Sequence, residues 1–292
     1  MTTNEIKKFV LKLIRDPNSY KYNFGHVLVL AGSTIMPGSG ALCCLGALRA
    51  GVGLVTYAVK VKSLTQISMF SKPEVMFFIY KTAADIIEFV KTKKVSSLII
   101  GPGLIDDSNV LRNFILKILF SVNIPIILDA SGISCFNSYS DKFKNTKAKL
   151  IITPHMGEFS KLLNIHIETI RKFKQKITSE YATINSLVCV LKGKNTIVAS
   201  DKRIYINDTG TPAMSIAGSG DVLCGIIAAF TSIESDIFNA TKFAVFIHGL
   251  AGEMSEKARG QIGVIASDIA ENICYVIKDM MIPYINLYSM IK

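Results

Sequence analysis

Seven short runs that are apolar almost throughout alternate with helix-period segments along most of this chain. No other feature constrains the fold as much. The runs at 26–30, 54–58, 75–79, 97–100, 124–128, 150–152 and 187–191 read as strands buried on both faces. Between them, apolar residues recur at helical spacing, as at Ile167, Ile170, Phe173, Ile177, Tyr181 and Ile184. Strands of this kind separated by helices predict a mostly parallel sheet covered on both sides. Residues 196–206 read as a β-hairpin around Ser200, Asp201 and Lys202, followed by three helices at about 219–231, 235–257 and 265–280. No linker, repeat or low-complexity tract interrupts the pattern. The expectation is one α/β domain over residues 1–292.

Half of the residues are hydrophobic and 19% are charged, which excludes a disordered chain. Lys plus Arg is 33 and Asp plus Glu 22, so 33 − 22 gives a net charge of +11, suited to anionic partners without choosing among them. The lysine clusters at 91–94, 142–149 and 171–176 lack interleaved aromatics and read as solvated faces rather than a nucleic-acid surface. Six scattered cysteines form no C-x-x-C and do not cluster with histidine, which points to reduced thiols rather than zinc or disulfides. The charge-free stretch 27–48 carries four glycines and Pro37, so it reads as strand, loop and helix start, not as a membrane span. The first twelve residues are polar and amphipathic, without the apolar core of a signal peptide. A cytoplasmic protein that neither spans a membrane nor binds nucleic acid is expected.

The chemistry concentrates in Asn207-Asp-Thr-Gly-Thr-Pro-Ala-Met-Ser-Ile-Ala-Gly-Ser-Gly-Asp221. Gly218, Ser219 and Gly220 open a helix, where backbone N–H groups and the helix dipole form an anion hole. Asp221 follows in the first turn. A carboxylate beside a phosphate cradle suits a general base that takes a proton from a hydroxyl attacking phosphorus. The helix N-terminus is expected to lower its pKa and keep it ionised at neutral pH.

This string resembles the signature of the ADP/ATP-dependent NAD(P)H-hydrate dehydratases, members of the ribokinase-like superfamily. The resemblance continues in order through Gly25-His-Val-Leu-Val-Leu-Ala-Gly-Ser33, Ala47-Leu-Arg-Ala-Gly-Val-Gly-Leu-Val55, Pro73-Glu-Val-Met76, Gly101-Pro-Gly103 and Thr153-Pro-His-Met-Gly-Glu158. It closes with Leu191-Lys-Gly-Lys-Asn-Thr196, His248-Gly-Leu-Ala-Gly252 and Ala266-Ser-Asp268. It implies a three-layer α/β/α fold and an enzyme that repairs the S form of hydrated NADH or NADPH. The ring hydroxyl is phosphorylated at the expense of ADP or ATP, with Mg2+, and phosphate then leaves to restore the double bond. By resemblance, Ala41, Gly103, His155 and Asp221 contact the hydrate, and Asp221 is catalytic. Lys192, Gly193, Lys194, Asn195, Thr196 and Gly220 hold the nucleotide, and Glu158 supports the metal through water. His248 reads as a packing residue in an apolar helix.

Two departures stand out. The family's M-A-T-G-G-T-G-D is here Met214-Ser-Ile-Ala-Gly-Ser-Gly-Asp221, so Ile216 lacks a hydroxyl and Ala217 replaces glycine. D-A-D-A-L is here Asp129-Ala-Ser-Gly-Ile133, with Ser131 in place of a carboxylate. Only about 24 residues precede the first strand, so no epimerase domain is expected and a separate epimerase would act in the same route. The resemblance also implies a homo-oligomer. The alternatives are a vitamin or sugar kinase of the same superfamily, and a nucleotide-binding scaffold without catalysis.

Overall fold

The computed structural model describes residues 1–291. Nine strands form one sheet: β1 (His26–Leu30), β2 (Leu54–Val59), β3 (Met76–Ile79), β4 (Ser97–Ile100), β5 (Pro125–Leu128), β6 (Lys149–Ile152), β7 (Val188–Leu191), β8 (Ile197–Ser200) and β9 (Arg203–Ile206). Their order is β3-β2-β1-β4-β5-β6-β7-β8-β9. All pairs from β3 to β7 are parallel, and β8 and β9 add antiparallel. The expected strands and hairpin are present within a residue or two of their expected ends, but β3, expected to be buried, is an edge strand with Met76, Phe77 and Ile79 exposed.

Strand alternation builds two cores, one on each face. Val27, Val29, Ile99, Ile127 and Ile151 point to one side, where the helices Gly38–Arg49, Ser219–Thr231, Ile237–Arg259 and Ala266–Ile291 pack. Leu28, Leu30, Leu98, Ile100, Ile126, Leu128, Leu150 and Ile152 point to the other, covered by Ala83–Thr92, Ser108–Leu119, Met156–Leu163 and Lys174–Ile184. This is the expected three-layer α/β/α architecture. Five of the six cysteines are buried in these cores as free thiols. The segment 167–184 forms two helices rather than one, Ile167–Lys172 and Lys174–Ile184, because the backbone leaves helical geometry at Phe173 (φ −118°). No described helix is long and apolar enough to cross a membrane.

Register brings the carboxyl ends of the central strands to one level. Ile100 pairs with Leu30 and Leu128, and Leu128 pairs with Ile152. The next residues, Gly101, Asp129 and Thr153, therefore stand side by side at the sheet edge. The strand order reverses at β1 and β4, and in such sheets the crevice at that edge is where ligands bind. On the first core's face, the helices Gly38–Arg49 and Ser219–Thr231 touch backbone to backbone. A methyl on Gly225 would lie 2.2 Å from Cys43 O, and one on Gly46 2.5 Å from Val222 O. That contact fixes the two helix starts, Gly38 and Ser219, against each other.

Candidate active site

Asp129 lies at the centre of the edge. It is buried, and its Oδ1 accepts hydrogen bonds from Lys192 Nζ at 2.6 Å and Thr153 Oγ1 at 2.7 Å. Lys192 is held by its own backbone, whose N–H donates to Pro154 O at 2.9 Å just past β6. Burial works against its charge, but Asp129 foremost among its neighbours outweighs burial and holds its pKa above the ordinary value. The chain leaves Asp129 through Ala130, a non-glycine in the left-handed region (φ 48°, ψ −119°). Such a residue stores about 1–3 kcal/mol of strain, and strain of this kind gathers at functional sites. Ser131 then donates through Oγ to Leu104 O at 2.7 Å, tying this turn to the Gly101-Pro-Gly103 loop. The hydroxyl in place of the family's carboxylate thus has a structural partner.

The helix Ser219–Thr231 opens beside this pair. Gly218 caps it in the left-handed region (φ 87°), and no side chain satisfies its first N–H groups. Free N–H groups at a helix start, with the helix dipole, suit an anion. Ser219 departs in one respect: its N–H turns toward Ile216 O at 3.5 Å, so Gly220 is the better-placed donor. The Cα of Gly220 faces this ion pair, since a methyl there would lie 3.1 Å from Lys192 Nζ and 3.9 Å from Asp129 Oδ2. Ile216 packs against the core, and Ala217 is exposed.

Asp221 departs from the expectation of a lowered pKa. Its carboxyl is pushed up to about 7, by burial first and by the negative charge of Asp129 second. Lys192 and a hydrogen bond with Ser39 oppose the shift without cancelling it. The helix terminus is a partial charge, whereas Asp129 is a whole one in a poorly solvated crevice. A base poised near neutrality is well matched to proton transfer. Ser39 belongs to the first turn of the helix Gly38–Arg49, which also carries the half-buried Ala41. Gly103 closes this wall in the left-handed region (φ 64°), where a methyl would lie 2.8 Å from the Ser39 side chain.

His155 and Glu158 form a helix cap on the neighbouring rim. His155 Nδ1 accepts from the N–H groups of Gly157 (3.0 Å) and Glu158 (3.3 Å). Glu158 Oε2 accepts from His155 N–H at 2.9 Å. The other ring nitrogen, Nε2, lies 3.7 Å from Glu158 Oε2, and the His155 side chain is exposed. Gly193, Lys194 and Asn195 are an exposed turn past β7, and Thr196 Oγ1 bonds back to Gly193 O at 2.8 Å. Lys174 holds this turn through Lys194 O (3.0 Å) and Asn195 O (3.1 Å).

The edge therefore unites Ala41, Gly103, Lys192, Gly220 and Asp221, with His155, Glu158 and the 193–196 turn on its rim. Sequence reasoning missed Asp129, Thr153 and Ser39. Asp129 was visible only as a strand-end carboxylate. Its value lies in a partner 63 residues away. Among the described residues, no three His, Cys, Asp or Glu side chains form a metal cage.

A sequence-family model described as NAD(P)H-hydrate dehydratase matches residues 27–274. The bifunctional NAD(P)H-hydrate repair enzyme Nnr of Moorella thermoacetica is 32% identical over 275 residues, covering 91% of this chain and 52% of that protein. The chain spans about half the length of such bifunctional relatives. The ADP-dependent (S)-NAD(P)H-hydrate dehydratase of Bacillus subtilis is 28% identical over 260 residues, covering 88% of this chain and 90% of that protein. A crystal structure of the ADP/ATP-dependent dehydratase from the same organism, co-crystallised with ATP/Mg2+, superposes with a TM-score of 0.80 at 26% identity. It covers 94% of this chain and 97% of that one. A ribokinase-like superfamily protein from Enterococcus faecalis superposes with a TM-score of 0.77 at 25% identity, covering 96% and 95%.

Proposed function

Because the chain belongs to the NAD(P)H-hydrate dehydratase family, we propose that it restores NADH and NADPH from their S hydrates, using ADP or ATP as phosphoryl donor. The observation that carries this reading is the convergence of a poised carboxylate, Asp221, with an uncapped helix N-terminus and the Lys192 ammonium at one sheet edge. Asp221 takes the proton of the substrate's ring hydroxyl as that oxygen attacks the terminal phosphorus. Gly220 N–H and Lys192 stabilise the charge that develops on the phosphoryl oxygens. The nucleotide departs one phosphate shorter. The carbon–oxygen bond then breaks, phosphate leaves with the former hydroxyl oxygen, and loss of a proton from the adjacent carbon restores the ring double bond.

Ala41 and Gly103 form the wall that accepts the hydrated ring, and His155 reaches the dinucleotide from the rim. The turn Gly193–Thr196 holds the rest of the nucleotide, where Lys194 is an exposed charge. Mg2+ binds through one or two carboxylates, water and phosphates rather than in a protein cage. Glu158 fits that use, since one of its oxygens is committed to His155 N–H and the other is left for a water. When bound, the metal supplies charge neutralisation of the phosphates.

The exposed residues Met69, Phe70, Met76, Phe77 and Ile79 make an apolar edge at β3 that supports a homo-oligomer. A monomer in analytical ultracentrifugation would contradict that. A cytoplasmic location is supported by the free buried thiols, with a separate epimerase converting the R hydrate; cell fractionation and addition of an epimerase test these two points.

The function is tested by absorbance. With S hydrate, Mg2+ and ADP or ATP, the near-ultraviolet band of reduced nicotinamide returns and free phosphate accumulates. A stable phosphorylated product with no band would indicate a kinase instead. The pH profile tests the base. Turnover rises with pH through about 7, as Asp221 loses its proton. Asp129→Asn removes the neighbouring charge and moves that rise to lower pH. A profile flat from pH 5 to 9 in both proteins would exclude Asp221 as the titrating base.

A further inference from the structure

The motif His248-Gly-Leu-Ala-Gly252 has no place in the chemistry above, yet its helix lies directly beneath the Asn207–Asp221 string. Each motif residue that faces the string meets a different part of it. A methyl on Gly249 would lie 2.1 Å from Thr209 Oγ1, and one on Gly252 2.2 Å from Met214 Sδ. Thr209 Oγ1 also donates to Phe246 O at 3.0 Å. Thus the helix carries the string in close contact from its start. At its end, His248 is buried, and its Nε2 lies 3.4 Å from Ser219 Oγ. The ring is also hydrogen-bonded to the Ser219 backbone.

Ser219 immediately precedes Gly220 and opens a helix that has no side-chain cap of its own. An uncapped start keeps N–H groups free for an anion, so the aim of that turn depends on contacts from neighbouring elements. We propose that His248 is a positioning residue for the phosphoryl-transfer step: by holding Ser219 it aims the Gly220 N–H at the transferring phosphate. The ring touches neither substrate nor nucleotide in this reading. Burial foremost, with the nearby Lys192 charge, lowers its pKa to about 4. It is therefore neutral at physiological pH and adds no second charge beside the ammonium.

The proposal rests on the dehydratase reading, and the experiment separates the two. Wild-type turnover of the S hydrate is measured first; an inactive wild type would overturn that reading. His248→Gln keeps a neutral hydrogen-bonding group near the Nε2 position, whereas His248→Phe keeps the volume and loses the bond. Misplacement of a reacting group by about 1 Å can cost about 10²-fold. The Phe variant should thus lose about 10- to 100-fold in kcat, with the KM for hydrate within a few-fold, while the Gln variant stays near wild type. Ser219→Ala cuts the side-chain contact from the other side and should lower kcat in the same direction. It keeps the test decisive if the Phe variant does not fold. A readout independent of turnover is binding of ADP with Mg2+ and fluoroaluminate, a phosphoryl-transfer mimic. The Phe variant should bind the mimic more weakly and ADP alone as wild type does. Phe and Ala variants with wild-type kcat and mimic affinity would overturn the proposal and return His248 to packing. So would a Gln variant as impaired as the Phe variant.

Discussion

Asp221→Asn is expected to cut turnover by about 10²- to 10⁴-fold, the usual worth of a general base, while making the folded protein more stable. Asparagine keeps the shape and the contact with Ser39 but cannot take the hydroxyl proton. The stability gain follows from the raised pKa. The folded carboxyl, at about 7, holds its proton more tightly than the unfolded one at 3.8. Stability is therefore unaffected below the unfolded value, falls as pH rises between the two, and carries the full cost above 7. A three-unit difference sets an upper bound of about 4 kcal/mol for that cost, which the never-ionised asparagine removes. Denaturant titrations at pH 5 and pH 8 should show the variant's advantage growing with pH. Turnover within a few-fold of wild type would leave Asp221 as a helix-start residue only.

Lys192→Ala should be costly twice. Loss of a charge-assisted phosphate contact, about 1.5–3 kcal/mol, weakens nucleotide binding roughly 10- to 150-fold. From the sequence alone, this variant is expected to leave the fold intact. The structure corrects that, because Lys192 is the counter-ion of the buried Asp129 at 2.6 Å. Removing one partner of a buried pair typically destabilises by about 3–5 kcal/mol, since the other charge is left unpaired. Lys192→Met combined with Asp129→Asn should recover most of the stability but none of the nucleotide affinity. Calorimetric binding and chemical denaturation of the two variants separate the two effects. Wild-type stability in Lys192→Ala would mean that water solvates Asp129 in its place.

The central strands were legible because both of their faces are buried, so 97–100, 124–128 and 150–152 read as unbroken apolar runs in a parallel sheet. The uncapped helix start was legible because Gly218 and Gly220 flank Ser219 directly before a helical pattern. What escaped was long-range or geometric. The break at Phe173 leaves the three-and-four spacing intact, so periodicity alone does not reveal it. The pKa of Asp221 was misjudged because its local helix pulls one way and Asp129, from another strand, pulls the other. Similarly, His248 lies in a helix whose apolar pattern describes packing, and only the folded chain places its ring against Ser219.

The central claim is that the ring hydroxyl leaves as phosphate. It is tested most directly with S hydrate carrying a heavy oxygen isotope in that hydroxyl. Phosphorylation followed by elimination breaks the carbon–oxygen bond after the phosphorus–oxygen bond has formed. Mass spectrometry should therefore find the label in the released inorganic phosphate, one labelled phosphate for each reduced nicotinamide restored. Label recovered in water, with unlabelled phosphate, would contradict the account.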